Sequence, residues 1–516
     1  MHVDLDTTAA SQSFNAPICI IGGGIAGLVL ATRLATRGID VHLLEAGGLI
    51  LEERSQALYN PEMGRERHTG CFDGRFRTFG GSSTRWGGQL LPFTEDIFGP
   101  APGCPSLPWP IHAAELAPYY EQAEALLAVD RLPFTDDLLP ALGHAKPPAS
   151  TDIVTRFSKW MSFKTRNLAN TLGAEALAHP RITVYTHANA ASLHGDAGRI
   201  QSVRVLNYAG AEFTFTADEF VCTSGTVENA RLLLASPGVP NPHGQIGLYF
   251  HDHVGFHAAQ FASPARERIL ELVGPYYVDG TLHSAKFEAS PSLRGAEGLL
   301  AVMAHVVIEE PEDSGTAAIR NLLQSLQRGR VKDAIFANLL PVFRGAGDVL
   351  RLVYYSRFKK RRAVSKRATV WLNIDVEQGA TAENRIRLSK KTDALGLPIA
   401  VVDWSIRDPE QHTAVRYAHF IRQYLEAANL APTDWHPGIA GDGLPAMNDT
   451  YHAMGGLRMG LDPTTSVVDP SLRFHGLENL YVASCAVFPS GSSSNPTFTM
   501  IALTLRLAEL LTAKKG

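Results

Sequence analysis

The 516-residue chain is 45% hydrophobic and 19% charged, with a formal net charge of −4 at pH 7. That length is several times an ordinary domain, so two or more lobes with ample core are expected, and the near-neutral balance excludes nucleic acid as a partner of the whole surface. No apolar run reaches the roughly 20 residues of a membrane-spanning helix, and residues 1–15 lack the basic-then-apolar pattern of a secretory signal. Five scattered cysteines without C-x-x-C spacing (Cys19, Cys71, Cys104, Cys222, Cys485) argue for a reducing, cytoplasmic setting and against a zinc, iron–sulfur or c-type haem site.

The first element is the most informative. Ile18-Cys19-Ile20-Ile21 is an apolar run suited to a buried parallel strand, and Gly22-Gly23-Gly24-Ile25-Ala26-Gly27 follows it at once, fitting G-x-G-x-x-G. Gly22 permits the tight turn, Gly24 lets backbone N–H groups approach a pyrophosphate, and Gly27 lets the helix lie against the sheet, its N-terminus facing the anion. Leu28, Ala31 and Leu34 recur at helical spacing, Gly38 ends the helix, and residues 41–44 form a second strand closed by Glu45, 23 residues after Gly22. A carboxylate there accepts the hydroxyls of an adenosine ribose and opposes a 2′-phosphate. These residues leave FAD and NAD both open.

Residues 77–88, Arg77-Thr78-Phe79-Gly80-Gly81-Ser82-Ser83-Thr84-Arg85-Trp86-Gly87-Gly88, form a loop rich in glycine and hydroxyls, able to lie flat against a planar or phosphorylated ligand. A helix is expected over 113–128, a loop over 130–150, a helix over 151–177 and an extended segment over 181–185. Strands at 200–206, 211–217 and 219–222 lead into Thr223-Ser224-Gly225-Thr226 and a helix whose first turn holds Glu228 and Asn229. His251-Asp252-His253 has metal-ligand residue types, but adjacent side chains face opposite ways and no further cluster at ligand spacing joins them, so no metal is expected. Residues 320–367 hold thirteen Lys/Arg against Asp333 and Asp348, a balance of 13 − 2 = +11. A peripheral membrane contact, a solvated basic face and a port for an acidic substrate all fit.

Near the C-terminus, His452 stands beside the glycine-rich turn Gly455-Gly456, residues 479–483 read as a buried strand, and Asn495-Pro496 opens a long apolar helix. Asn495 suits the N-cap and Pro496 the first helical position. Spacing alone leaves His452 open as a core histidine and Asn495 as a cap.

The chain resembles the glucose-methanol-choline (GMC) family of FAD-dependent oxidoreductases, nearest its pyranose-oxidase-like and bacterial sugar-dehydrogenase branches. The resemblance is carried by residues 22–45, 80–88, 225–234, Asn384-Arg385-Ile386-Arg387-Leu388 with Asp393, Gly396 and Pro398, and the closing segments 452–460 and 495–500. It implies an α/β fold with a discontinuous Rossmann-like FAD-binding lobe (15–255 and 440–516) and an α+β substrate-binding lobe (256–439). Alcohol oxidation on a sugar, glycoside or polyol follows from it, with His452 as general base, Asn495 holding the same oxygen, and oxygen or a quinone-like compound as final acceptor. FAD contacts are implied at Gly22, Gly24, Ile25, Ala26, Gly27, Glu45, Ala46, Gly80, Gly81, Ser82, Ser83, Arg85, Trp86, Gly87, Gly88, Ala190, Ser224, Gly225, Ala483, Ser484, Asn495, Pro496 and Thr497. Several relatives carry at the Arg85 position a histidine bonded to the flavin. Arginine makes no such bond, so FAD is expected to be non-covalent. An FAD-containing lyase of the same superfamily and a non-catalytic flavoprotein are the alternative readings.

Overall fold

The computed structural model describes residues 1–8, 12–100, 107–196, 198–327, 347, 350–351, 354–355, 358–439 and 446–515. Among them, strand Ser13–Ile21, helix Ile25–Thr36 and strand Val41–Leu44 form the expected first unit. Ile18, Cys19 and Ile20 are fully buried, as suits a strand covered on both faces. An eight-stranded sheet grows around it in the order His2–Asp4, Ile182–Thr186, Val41–Leu44, Ser13–Ile21, Glu212–Cys222, Arg199–Leu206, Asn189–Asp196, with Leu480–Val482 added beside Glu212–Cys222. The strands expected at 211–217 and 219–222 are one continuous strand, parallel to Ser13–Ile21 and, at its end, to Leu480–Val482. Asn479 pins that last strand: its amide bonds both Ile200 N–H and C=O and the Asp218 carbonyl. Helix Thr497–Lys515, apolar nearly all round, packs on helices Ile25–Thr36 and Ala113–Leu126 and so returns to the nucleotide-binding lobe.

The second sheet is antiparallel and nine-stranded, in the order Asp434–Trp435, His253–Gln260, Thr369–Glu377, Val302–Glu309, Thr281–Ala289, Ile153–Trp160, Gln89–Leu90, with Tyr276–Val278 and Asn448–Asp449 attached. Its presence corrects one expectation. Residues 151–177 are not one helix: Ile153–Trp160 is a strand in register with Thr281–Ala289 over eight residues, and only Leu172–Ala178 is α-helical. Ile153, Val154 and Thr155 are β-branched, and cross-strand pairing outweighs the weak local helical pattern. The strand begins within the range expected for the nucleotide-binding lobe yet belongs to the other sheet. A separate three-stranded sheet consists of Arg385–Thr392, Pro398–Asp403 and Glu62–Met63.

No helix among the described residues is long and apolar enough to cross a membrane. Most of the basic run at 320–367 lies outside the described residues. Of its described cations, Arg320, Lys359, Lys360, Lys366 and Arg367 are exposed, the last paired with Asp313, whereas Arg361 stacks over Tyr276 and Arg362 is half-buried.

Candidate active site

One cavity of about 260 Å³ runs between the glycine turn, the 74–82 loop, the start of helix Thr226–Leu234 and the C-terminal segment. It is lined by Gly22, Gly24, Ile25, Ala26, Glu45, Ala46, Gly81, Ser82, Ala190, Ser224, Gly225, Ser484, Pro496, Thr497 and His452. The wall is built by backbone approach. Gly80 N–H donates to the Gly23 carbonyl (2.9 Å), joining the two glycine loops, and a Cβ on Gly81 would sit 3.0 Å from Gly24 Cα. Ser224 Oγ donates to the Ile21 carbonyl (2.8 Å), and Asn229, which the sequence reading treated as a helix-start residue, accepts from Ser224 N–H (2.9 Å) and donates to Ser484 Oγ (3.0 Å). Glu228 is likewise engaged, bridging Arg75 and Arg231.

The remaining expected contacts stand behind that wall. Gly27 packs on the Gly22 carbonyl. Ser83 Oγ donates to the Gly80 carbonyl (2.6 Å), Trp86 Nε1 donates to the Arg166 carbonyl (2.6 Å), and Arg85 lies over the Phe76 ring. Gly87 abuts Trp160, Gly88 abuts Met161, and Ala483 N–H donates to the Cys222 carbonyl.

The site fits FAD on two further observations. Glu45, buried at the strand end, accepts N–H bonds from Gly23 (3.0 Å) and Gly47 (2.8 Å); burial pushes its pKa up, partly offset by those bonds and by Arg77. Arg77, which the sequence reading placed in the loop without a role, lines the cavity with Nε and Nη1 buried and without a hydrogen-bond partner, while Nη2 donates to Asn189 Oδ1 (2.6 Å). A buried guanidinium with open donors is suited to an acceptor-rich ligand. Tyr59, Arg75 and Phe76 also line the cavity and were missed, because residues 47–76 carry no periodic signal.

At one end of the cavity stands His452. Its Nε2 is 2.8 Å from Asn495 Nδ2, its Nδ1 is 2.9 Å from Thr450 Oγ1 and 3.1 Å from His253 Nδ1, and its backbone N–H lies 2.9 Å from both oxygens of Asp252. Tyr451, just before it, has φ +67°, a left-handed conformation uncommon for a bulky residue. Asn495 does not act as the expected N-cap: the helix starts at Thr497, and the Pro496 carbonyl accepts from Met500 N–H (3.0 Å). The Asn495 side chain is thereby free to turn to His452. Burial, then the neighbouring His253, pull the His452 pKa down to about 4 against the opposing pull of Asp252 and Asp375, below the ~6.5 of an ordinary imidazole.

Asp252 collects with His68 and Asp449, three buried residues with ligand atoms within 4.8 Å, a grouping invisible in the sequence because His68 and Asp449 lie far along the chain. Their polar atoms hold backbone: Asp449 accepts from Thr69 and Gly70 N–H (2.6 and 2.7 Å), and Asp252 from His253 and His452 N–H. His68 Nε2 is 3.1 Å from Asp252. Burial opposes the charge on both, but their mutual attraction prevails, holding Asp252 low and His68 well above its ordinary value.

Facing this end, one side of the nine-stranded sheet is polar. Register sets Arg156 opposite Lys286, Lys286 opposite His305 and His305 opposite Asn373. Arg156 pairs with Glu288 (3.1 Å), and Asp375 accepts from His305 (2.8 Å) and Asn373 (2.6 Å). Burial pulls the Lys286 pKa down to about 8, opposed by Asp375 and Glu288.

Fold and site together define a Rossmann-like nucleotide-binding unit joined to a second, antiparallel sheet. A GMC oxidoreductase family model matches residues 380–504, and an NAD(P)-binding Rossmann-like domain model matches residues 20–54. The chain is similar to paromamine 6'-oxidase of Streptomyces fradiae, 25% identical across 95% of this chain and 90% of that protein. It is also similar to the fructose dehydrogenase large subunit of Gluconobacter japonicus, 22% identical across 97% and 98%. Pyridoxine 4-oxidase from Mesorbium loti shares the fold, with a TM-score of 0.56 at 16% identity over 96% of this chain and 99% of that one. The family match over residues 380–504 and the relatives along the whole length, named as oxidases and dehydrogenases, support an FAD-dependent alcohol or sugar oxidoreductase of the GMC type.

Proposed function

We propose that the protein oxidises an alcohol carbon of a sugar, glycoside or polyol, with His452 as the base that takes the hydroxyl proton and Asn495 as the group that holds the same oxygen. The observation that carries this reading is the 2.8 Å approach of His452 Nε2 to Asn495 Nδ2, at the end of a cavity whose other end is a nucleotide cradle. FAD, when bound, supplies the two-electron acceptor for the carbinol C–H. Gly22, Gly24, Glu45, Arg77, Ser224 and Gly225 would hold its nucleotide half, and Pro496 and Thr497, at a helix start, would lie where a helix dipole favours negative charge. The protein's own share is positional: Asp252 anchors the His452 backbone, Asn495 sets the hydroxyl against Nε2, and polar residues of the facing sheet offer donors and acceptors to further hydroxyls. The named substrates of the relatives, paromamine and fructose, support a sugar.

The lobes are proposed to divide at 15–255 with 440–516, and 256–439, with strand Ile153–Trp160 serving the substrate side. FAD is proposed to be non-covalent, Arg85 standing in the place of the linking histidine. Precipitating the yellow protein with acid should leave all the FAD in the supernatant; flavin that stays with the polypeptide would contradict it.

Oxygen and a quinone remain the two candidate acceptors. A peripheral membrane contact is favoured by one observation: Leu350, Tyr354 and Phe358, four residues apart, are all exposed, with Lys359 and Lys360 beside them. One experiment tests the whole reading. Anaerobic FAD-loaded protein is mixed with sugars, glycosides and polyols, then reoxidised by air or by quinone in anionic vesicles. Bleaching of the flavin by at least one of these alcohols is expected, and its absence across the panel would leave a lyase or a non-catalytic flavoprotein.

A further inference from the structure

We infer that His253 is a positioning residue that fixes the tautomer of His452, holding its proton on Nδ1 and so making Nε2, which accepts from Asn495 in this structure, the basic nitrogen. The inference rests on the reading of His452 as the base. It follows from a chain of hydrogen bonds read with both rings neutral. His253 Nε2 lies 3.2 Å from the Gly491 carbonyl oxygen, which only accepts, so Nε2 carries hydrogen. In the neutral ring Nδ1 is then a bare acceptor. That atom is 3.1 Å from His452 Nδ1, and two ring nitrogens hydrogen-bond only if one of them is protonated. The proton is therefore on His452 Nδ1, and His452 Nε2 is bare.

The far end of the chain fits the same assignment. Asn495 Nδ2, a donor, faces His452 Nε2 at 2.8 Å. Turning the amide over would require hydrogen on Nε2, which would set two bare Nδ1 atoms against each other, so His253 fixes the amide orientation as well. Thr450 Oγ1, 2.9 Å from His452 Nδ1 and 3.4 Å from the His253 carbonyl, accepts a share of the same proton while directing its own to that carbonyl.

The scaffold is rigid at each link. His253 is 1% exposed, its N–H donates to Asp252 (2.6 Å), and Gly491 and Ser492 N–H are held by Glu377 (2.6 and 3.0 Å) from the neighbouring strand. The hydrogen bond at one imidazole nitrogen decides which nitrogen bears the proton, and so which is available as a base.

The test combines ¹⁵N-histidine NMR of the FAD-loaded protein at neutral pH with anaerobic flavin reduction, His452→Ala serving to assign the resonance. His253→Gln keeps a donor toward Gly491 but offers no acceptor at the Nδ1 place. His253→Asn puts a carbonyl oxygen there. Wild type and His253→Asn should show His452 protonated on Nδ1. His253→Gln should show the Nε2–H form or a mixture, with the reduction rate constant about 10- to 100-fold lower and the substrate KM little changed. His253→Asn should recover most of that loss. An Nε2–H or doubly protonated His452 in the wild type, or a wild-type tautomer and rate in His253→Gln, would overturn the inference. Should His452→Ala reduce normally, the base reading fails, while the NMR result still decides what His253 does.

Discussion

His452→Ala should fold, bind FAD and lose flavin reduction by roughly a hundred- to ten-thousand-fold, the range for removal of a positioned general base. The fold should survive because the backbone anchor to Asp252 does not involve the ring, whereas Asn495 Nδ2 and His253 Nδ1 lose their partner. Single-turnover mixing with the best substrate from the panel measures it, and near-wild-type reduction would move the proton transfer to another group. The wild-type pH profile is the companion measurement. With its pKa pulled down to about 4 by burial and by His253, His452 is mostly neutral, and competent as a base, from about one pH unit above that value upward. The rate constant for reduction should be level from pH 8 to about 5.5 and fall only as pH approaches 4. A decline with a midpoint near the ordinary 6.5 would contradict the burial argument.

The second large effect is expected at Gly27. A Cβ there would overlap the Gly22 carbonyl oxygen and stand 3.0 Å from Thr223 Oγ1. Gly22 cannot yield easily, since it holds φ +119° with the Ser224 backbone close behind it. Gly27→Ala should therefore push helix Ile25–Thr36 off the turn, costing about 1–3 kcal/mol of stability as an overpacked core does and moving the N–H groups that face the nucleotide. The protein should purify nearly colourless, retaining less than about a tenth of wild-type FAD, a loss of more than about 1.4 kcal/mol in affinity. Gly295→Ala is the control: that glycine is helical, exposed and has no atom within 4 Å of the added Cβ, so flavin content should not change. Full flavin retention by Gly27→Ala would show that the close packing at this turn is not what holds the cofactor.

Parts of the molecule whose evidence is local can be read from the chain directly. The unit from Ile18 to Glu45 is legible because strand, turn and helix each leave a mark within a few residues, and the close approach at Gly27 is the physical demand that the glycine spacing encodes. Helix Thr497–Lys515 was legible in the same way, its apolar run continuing past any turn signal.

Tertiary structure alone decided what depends on partners far along the chain. Ile153–Trp160 is a strand because Thr281–Ala289 pairs with it, a contact that local periodicity does not carry. His251-Asp252-His253 could be read only as side chains facing alternate ways. Folding places Asp252 under the His452 amide and His253 against its ring, bringing together residues about 200 positions apart. Arg77, too, has buried donors without partners only once the chain folds over it and Asn189 takes its third nitrogen. Hydrogen-bond direction in a buried network is a property of all its members at once, so which nitrogen of His452 carries the proton is settled by the fold and not by the neighbouring residues.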